Sequence, residues 1–317
     1  MSENSGPRVL KLGTRGSLLA RTQSGHVSRA VTEATGFAVE DVVIRTEGDD
    51  TTTSLTKAAR PGVFVSALRA ALLAGEVDFI VHSFKDLPSK PESDITLAAV
   101  PPREDHRDAL ISQSGTGLFD LPQGAKVGTS SPRRAARIKF LRPDLEVSPI
   151  RGNVDSRLAK VKSGEFDATL LAVAGLNRVG LSSEISEILT EEQLLPAPAQ
   201  GALAIECRSH DIELVSALEK LNDPLTRLIT TAERAVLVGI SASCSTAIGA
   251  FAKFEGDLLT LTCELSDPET NEHERVEKTV SGITYSSLSE SYQLGMFAAH
   301  ALLATPLGIR LSNTSVS

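Results

Sequence analysis

Residues 125–172 decide the fold class: AKVGTSSPRRAARIKFLRPDLEVSPIRGNVDSRLAKVKSGEFDATLLA. Three short apolar runs in this stretch predict strands, and the two segments between them have the periodicity of helices. The predicted strands are Ala125–Gly128, Leu145–Ile150 and Ala168–Ala172, and the predicted helices are Pro132–Leu141 and Val154–Ser163. This alternation is typical of an α/β domain with a mainly parallel sheet.

An earlier block of the chain has the same alternation. Its predicted strands are Val9–Leu12, Val39–Arg45 and Phe79–His82, and its predicted helices are Ser17–Thr35 and Val63–Ala74. A polar segment inside the block, residues 48–61, has Leu55 as its one large apolar residue. A segment of this length predicts a lid, with an idle surface loop as the alternative.

After Asn222 the pattern changes to one helix, two alternating strands and a closing helix, which indicates a small α+β domain. These elements are predicted at Pro224–Gly239, Leu258–Leu265, Val276–Val280 and Ile283–Ala304.

A chain of 317 residues is long enough for two or three domains. The short proline-bearing segments Pro101–Pro102 and Pro196–Ala199 separate the blocks and predict hinged crossings. We therefore expect a discontinuous first domain over residues 1–102 and 200–221, a second over 103–199 and a third over 222–317.

The charge distribution indicates small anionic ligands. Residues 100–180 carry 13 basic and 9 acidic side chains, whereas residues 181–317 carry 8 and 19. The net charge of −8 and an aromatic content of 4% argue against a nucleic-acid partner. Arginine outnumbers lysine 21 to 11, and guanidinium groups bind carboxylates through two nitrogens. The alternative is that these arginines lie on solvated helix faces.

The sequence also predicts the cellular compartment. No stretch approaches the roughly 18 consecutive apolar residues of a membrane helix, and residues 1–6 are polar rather than signal-like. Three cysteines are too few for a disulfide framework. We expect a cytoplasmic protein without a membrane partner.

Polar, glycine-flanked segments follow the predicted strands, where ligands bind in open α/β sheets. In GTRGS (13–17), Arg15 would contact an anion and Ser17 would cap the next helix, although a plain capped turn explains the segment equally well. In GTSSPRR (128–134), Ser131 is a good N-cap and Pro132 suits the first helical position. The groups that would converge on an anion there are Thr129, Ser130, Arg133 and Arg134.

The segment VHSFKDLP (81–88) places Lys85 and Asp86 directly after a buried strand. A neighbouring ammonium would lower the pKa of the Asp86 carboxyl, which would then stabilise a cation or move a proton. A surface ion pair is the alternative. For His82 a hydrogen-bonded place in the core is the favoured interpretation.

Arg151, Arg157 and Arg178 also follow predicted strands or begin the helices behind them. Several arginines at the same sheet edges predict a ligand with several carboxylates or phosphates. No phosphate loop is present, so a nucleoside triphosphate is not indicated. No spacing typical of a metal site is present either.

Cys244 lies in the small-residue loop GISASCSTAIG (239–249), whereas Cys207 and Cys263 lie in β-like segments. The latter two are predicted to be inert and buried. Cys244 is a candidate nucleophile or attachment point, with an inert cysteine as the alternative.

Seven motifs in order resemble the hydroxymethylbilane synthase (porphobilinogen deaminase) family. They are LGTRGS (12–17), HSFKDLP (82–88), REDHRD (103–108), VGTSS (127–131), RGNVDSR (151–157), LAVAGL (171–176) and AQGA (199–202). The resemblance runs from about residue 9 to about residue 250, and the remainder fits the family's third domain. It implies two domains like those of periplasmic binding proteins, plus a third domain that carries the cofactor.

The resemblance implies a transferase of tetrapyrrole (haem) biosynthesis. Such enzymes join four porphobilinogen units head to tail, with loss of ammonia, and release linear hydroxymethylbilane. Growth starts from a dipyrromethane cofactor attached through a thioether, which motif position assigns to Cys244. Asp86 takes the position of the catalytic aspartate. The carboxylate-binding positions fall on Arg15, Ser17, Lys85, Thr129, Ser130, Ser131, Arg133, Arg134, Arg151, Arg157 and Arg178. Arg60, Phe64, Gln200 and Gly201 are candidates for the lid and cleft. The family is typically monomeric.

The sequence departs from the family pattern at Pro61, at Pro132 and on both sides of Cys244. A carboxylate-binding module without catalysis remains the main alternative, although such a module would need neither Asp86 nor Cys244.

Overall fold

The computed structural model describes residues 8–44, 63–242 and 246–314, without the side chains of residues 63, 64, 313 and 314. The chain divides into two compact units. One comprises Met1–Arg103 and Ala202–Arg227, and the other comprises Glu104–Gly201 and Leu228–Ser317. The chain passes between them three times, twice close to the predicted crossings and once between Arg227 and Leu228.

The helices and strands of the described residues are, in chain order, β1 (Val9–Thr14), α1 (Leu18–Thr35), β2 (Ala38–Val43), α2 (Val63–Leu73), β3 (Phe79–Ser83), β4 (Ile95–Ala99), β5 (Asp108–Ser112), β6 (Lys126–Gly128), α3 (Pro132–Leu141), β7 (Glu146–Ser148), α4 (Val154–Lys162), β8 (Ala168–Ala172), α5 (Val173–Arg178), β9 (Glu187–Ile188), β10 (Leu203–Arg208), α6 (Ile212–Glu219), α7 (Pro224–Gly239), β11 (Ala247–Glu255), β12 (Leu258–Ser266), β13 (His273–Val280), α8 (Leu288–Leu303) and α9 (Pro306–Thr314).

The first unit is built on a five-stranded sheet with the order β2-β1-β3-β10-β4. Strands β2, β1 and β3 are parallel, and β10 is antiparallel to both of its neighbours. The core on one face includes Leu10, Leu12, Phe79 and Ile205, all fully buried. The antiparallel strand, β10, is therefore the one that follows the second crossing, where the chain returns to this unit at Ala202.

The second unit contains a five-stranded sheet with the corresponding order β7-β6-β8-β5-β9. Strands β7, β6 and β8 are parallel, and β5, which follows the first crossing, is antiparallel to both of its neighbours. In each of these two sheets four strands run in one direction and one runs against them. The predicted α/β class with mainly parallel sheets is confirmed.

The second unit also contains an antiparallel sheet with the order β11-β12-β13. Helices α7 and α8 contribute to its core, which includes Ala232, Leu261 and Ala298. A Cβ at Gly295 would lie 2.3 Å from the backbone oxygen of Ala232, so the absence of a side chain lets the two helices approach. This is the small C-terminal α+β part. Its standing as a separate domain stays a prediction.

Several predicted boundaries were wrong. The closing helix begins at Leu288 rather than Ile283, because Gly282 has a positive φ of 73° and the amide of Thr284 donates to Ser287 Oγ at 3.1 Å in a turn. The strand predicted to end at Arg45 ends at Val43, and Arg45 lies outside the described residues. Strands β4, β5, β9 and β11 were not predicted, and β10 was indicated only by the β-like segment around Cys207.

No single helix among the described residues is both long and apolar enough to cross a membrane. Leu288–Leu303 and Pro306–Ser312 meet those limits only together, and they are bent by 88° relative to each other.

Candidate functional site

Two helices of the α/β sheets begin with serine caps, as the sequence predicted. Ser17 Oγ accepts from the amide of Ala20 at 3.3 Å at the start of α1, and Ser131 Oγ accepts from the amide of Arg134 at 3.5 Å at the start of α3. Pro132 occupies the first turn of α3, where a missing amide hydrogen has no cost. Both helices therefore present their amino ends after a strand, where anions are favoured.

The loop before α3 is held by its own hydroxyl groups. Thr129 is buried, and its Oγ1 accepts from the amide of Ser131 at 3.2 Å. Ser130 Oγ donates to the backbone oxygen of Ile150 at 2.7 Å. These contacts fix the loop between β6 and α3, so the predicted ligand hydroxyls also have structural partners.

Arg133 and Arg134 meet a buried acid that the sequence interpretation gave no role. Asp108 begins β5 and is 0% exposed. Its Oδ2 lies 2.8 Å from Arg133 Nη1, and its Oδ1 accepts from Arg134 Nε at 2.9 Å and Nη2 at 2.5 Å. One carboxylate thus hydrogen-bonds Arg134 and forms an ion pair with Arg133, and both arginines are buried.

Each of these arginines has a second anchor. Arg134 Nη1 donates to the backbone oxygen of Leu170 at 2.9 Å, and Arg133 Nη1 donates to that of Leu195 at 2.7 Å. Burial lowers the pKa of Arg133, although the charge of Asp108 opposes this shift. The exact partners could not be predicted, because β5 was not predicted.

Arg151 and Arg157 have no acidic partner among the residues the structure describes, 8–44, 63–242 and 246–314. Arg151 is exposed, and Arg157 is half-buried with its Nε donating to the backbone oxygen of Gly152 at 2.9 Å. Burial lowers the pKa of Arg157, and the positive charge of Arg134 lowers it further. An anion with several carboxylates would relieve this repulsion.

Arg178, at the end of α5, contacts the second crossing. Its Nη2 donates to the backbone oxygen of Gly201 at 2.7 Å. Burial lowers the pKa of Arg178, whereas the charge of Glu104 raises it, and the net shift is downward. The neighbouring Gln200 is fully buried, and its Nε2 donates to Asp108 Oδ1 at 3.1 Å. Gln200 and Gly201 are therefore linked to the arginines of this unit.

In the first unit, Asp86 lies in a short turn after β3 and is exposed. Within the described residues it makes no hydrogen bond or ion pair, so the surface ion pair with Lys85, which was the alternative interpretation, is not formed. The carboxylate of Asp86 faces solvent.

Three further residues that the sequence singled out lie in this unit. Lys85 and Arg15 are half-buried. His82 is buried as predicted, with its Nε2 3.5 Å from Glu206 Oε2. Glu206 is in turn bound by Arg69 through Nε at 3.0 Å and Nη2 at 2.6 Å. His82 thus belongs to the core, shortly before the turn that carries Asp86.

Cys207 and Cys263 are buried in β10 and β12, as predicted. Burial raises the pKa of Cys207 to about 12 and also raises that of Cys263, so both thiols stay protonated at neutral pH. Cys244, Arg60 and the segment over residues 48–61 lie outside the described residues, and Phe64 is described by its backbone in α2 alone. No group of three metal-ligating side chains occurs in the described part of the chain.

Comparison with known proteins assigns the chain to a family. The family profile "Porphobilinogen deaminase, dipyromethane cofactor binding domain" matches residues 10–216, and the profile of the C-terminal domain matches residues 228–304. Porphobilinogen deaminase of Nocardia farcinica is 52% identical over 77% of this chain and 70% of its own. That of Thermobifida fusca is 46% identical over 92% of each chain.

Among solved structures, a periplasmic binding protein of Salmonella typhimurium matches with a TM-score of 0.40 and 13% identity, over 69% of this chain and 93% of that one. This similarity is too low to add to the assignment. The two profiles together span most of the sequence, and the relatives match over most of their own length. The chain therefore belongs to the porphobilinogen deaminase family, a family of transferases.

Proposed function

We propose that the protein is a hydroxymethylbilane synthase, which joins four porphobilinogen units head to tail with loss of ammonia and releases the linear tetrapyrrole. The observation that supports this most directly is the pair Arg151 and Arg157, which lack acidic partners among the described residues although Arg157 is half-buried. Each porphobilinogen carries two carboxylates, so a growing chain brings the negative charge that these guanidinium groups need.

The described residues fit a cofactor that bears carboxylates. The uncompensated charge of Arg157 next to Arg134 would be neutralised by such a group, and the amino end of α3 favours an anion at the same edge of the sheet. A bound dipyrromethane would supply the free pyrrole position to which the first substrate unit is joined.

The arginines bind and orient carboxylates in this proposal. Arg151 and Arg157 would contact carboxylates directly, whereas Arg133 and Arg134 would present the hydrogens that Asp108 and the backbone leave unused. The full set proposed for cofactor and substrate carboxylates is Arg15, Ser17, Lys85, Thr129, Ser130, Ser131, Arg133, Arg134, Arg151, Arg157 and Arg178.

Asp86 is proposed as the catalytic group. Loss of ammonia from porphobilinogen requires a proton on the leaving amine and leaves a positive charge on the substrate. An exposed carboxylate without a competing cation among the described residues would stabilise that charge and accept the proton released when the new bond forms. An asparagine at this position would keep the shape but lose both functions.

Cys244 is proposed as the attachment point through a thioether. The high pKa of Cys207 and Cys263 supports this choice, because neither thiol is available as a nucleophile at neutral pH. Arg60 and Phe64 are proposed for the lid, and Gln200 and Gly201 for the crossing.

The chain is further proposed to form three domains, over residues 1–102 with 200–221, 103–199 and 222–317. The two α/β sheets and the antiparallel sheet support this division. We also propose a monomeric, cytoplasmic enzyme that acts on a small molecule, with neither a nucleic acid nor a membrane as partner. The net charge of −8 supports the exclusion of nucleic acids.

The test is turnover of porphobilinogen by the purified chain. Turnover is measured as the release of ammonia and as the appearance of linear tetrapyrrole. The proposal predicts both products, and Asp86→Asn should retain the bound cofactor while losing most of the turnover. A chain that binds porphobilinogen tightly without releasing ammonia would instead be a carboxylate-binding module.

A further inference from the structure

We propose that Asp108 is a positioning residue, which holds Arg133 and Arg134 in the orientation that binds carboxylates. This inference rests on the proposed function, because it assumes that these arginines face cofactor or substrate. Asp108 itself is fully buried and contacts neither in this proposal.

Arg133 and Arg134 each contact a different oxygen of the Asp108 carboxylate. Asp108 Oδ2 lies 2.8 Å from Arg133 Nη1, and Asp108 Oδ1 accepts two hydrogen bonds from Arg134. Two contacts to one oxygen fix the plane of the Arg134 guanidinium as well as its place. The hydrogens on Arg134 Nη1 and Nη2 that Leu170 and Asp108 do not use then point in fixed directions.

The carboxylate also offsets charge. Arg133, Arg134 and Arg157 lie close enough to repel, since the charge of Arg134 lowers the pKa of both of the others. Asp108 is the one acid that pairs with Arg133 or Arg134 within the described residues, and the charge of Glu264 also raises the pKa of Arg133. The buried acid therefore lets two guanidinium groups stay side by side without cancelling their attraction for an anion.

The support for Asp108 comes from both crossings. It begins β5, which follows the first crossing, and it accepts from Gln200 Nε2, which lies in the second, at 3.1 Å. The same Nε2 donates to the backbone oxygen of His106 at 2.8 Å. The carboxylate is thus held from two sides and has little freedom to follow an arginine that moves.

The primary experiment compares Asp108→Asn with Asp105→Asn in the full-length chain. Asp105 is a matched control, since it lies three residues away and pairs with Arg107 at 2.6 Å rather than with a proposed ligand arginine. For each protein we would measure the thermal midpoint, the loaded fraction by intact mass, and KM and kcat for porphobilinogen. Asp108→Asn should lower the loaded fraction and raise KM at least tenfold, and Asp105→Asn should change neither by more than twofold.

A second variant, Asp108→Glu, keeps the charge, so it does not leave the buried arginines without an acid as Asp108→Asn does. It shifts the carboxylate by one methylene, so positioning predicts a folded protein with KM raised severalfold. A role in charge balance alone predicts the KM of the parent chain. A folded Asp108→Glu protein with unchanged KM and complete loading would overturn the proposal.

Arg134→Lys separates this inference from the proposed function. Lysine keeps the charge but cannot bind one carboxylate through two nitrogens, so the variant should raise KM as Asp108→Asn does, and the double variant should add little. If Arg134→Lys raises KM and both Asp108 variants do not, the positioning role is wrong while the proposed site stands. If the parent chain has no turnover at all, it is the proposed function that fails.

Discussion

Arg178 Nη2 donates a hydrogen bond to the backbone oxygen of Gly201 at 2.7 Å, which joins a proposed ligand arginine to the second crossing. Gly201 has a positive φ of 90°, and its oxygen also accepts from the amide of Glu104 at 3.3 Å. The place of the Arg178 side chain therefore depends on a backbone conformation that favours glycine.

Gly201→Ala should lower the free energy of unfolding by roughly 2–4 kcal/mol. The added Cβ would lie 2.4 Å from the backbone oxygen of Glu104, which cannot move aside as a flexible side chain would. Gly180→Ala is the control, because Gly180 also has a positive φ, of 72°, but has no atom within 4 Å of the added Cβ. Gly180→Ala should lower the free energy of unfolding by about 1 kcal/mol. Urea unfolding of both variants checks this, and equal losses would contradict it.

Arg157→Gln should raise KM for porphobilinogen by roughly 10- to 100-fold, the loss expected for one charged hydrogen bond. Its stability should change little, because the lost charge was repelled by Arg134 and had no acidic partner among the described residues. Arg310→Gln removes the same charge from a pair with Asp267 at 3.0 Å and should leave KM unchanged. Steady-state kinetics with thermal unfolding decide the matter, and a parent-like KM in Arg157→Gln would count against the site.

The sequence predicted the local features best. Helix α3 begins and ends where expected, because Ser131 and Pro132 form a strong start signal, and α1 ends at Gly36 for a similar reason. The pairing of Arg134 with Asp108 was out of reach, because it depends on β5 lying beside β8. Such non-local pairing leaves no short-range pattern.

Strand β10 shows the same limit. Its residues are buried from Leu203 to Cys207, and it lies between β3 and β4, although the chain reaches it only after the whole of β5 to β9. Glu206 in this strand is buried, but a charged residue gives no hydrophobic signal that would predict a core position. The partners that make it one, Arg69 and His82, are more than 100 residues away in the sequence. Asp86 was placed after its strand correctly, and the alternative of a surface ion pair with Lys85 is not observed.

Glu206→Gln should lower the free energy of unfolding by about 3 kcal/mol at pH 7, because it leaves Arg69 buried without its carboxylate. Burial raises the pKa of Glu206, but the neighbouring His82 and the hydrogen-bonded Arg69 guanidinium outweigh it, and the net pKa lies below the ordinary 4.5. The stabilisation is therefore complete above that value and is lost as the pH falls through the lower, folded-state pKa.

Urea unfolding at pH 7 and in acid checks this prediction for Glu206. The gap between the parent chain and Glu206→Gln should narrow as the pH falls below 4.5, the ordinary value. Glu213→Gln, whose carboxylate is 73% exposed, should change stability by less than about 0.5 kcal/mol at either pH. A gap that is the same at both pH values would show that the charge of Glu206 contributes nothing.

Cys207→Ala should carry the cofactor as the parent chain does, and only its free energy of unfolding should fall. The thiol of Cys207 is fully buried with its pKa raised to about 12, so it neither reacts nor carries a group at neutral pH. Iodoacetamide at pH 8 should leave Cys207 and Cys263 unmodified until the chain is unfolded in urea. Peptide mass mapping follows this, and rapid labelling of either cysteine in the folded protein would be the contrary result.

The most direct test of the central claim is the intact mass of the natively purified chain beside that of Cys244→Ser, before and after incubation with porphobilinogen. The account predicts an added mass of two linked pyrrole units on the parent chain and on Cys207→Ala, and none that survives denaturation on Cys244→Ser. A parent chain that stays unmodified after incubation, or a Cys244→Ser chain that keeps the adduct, would contradict it.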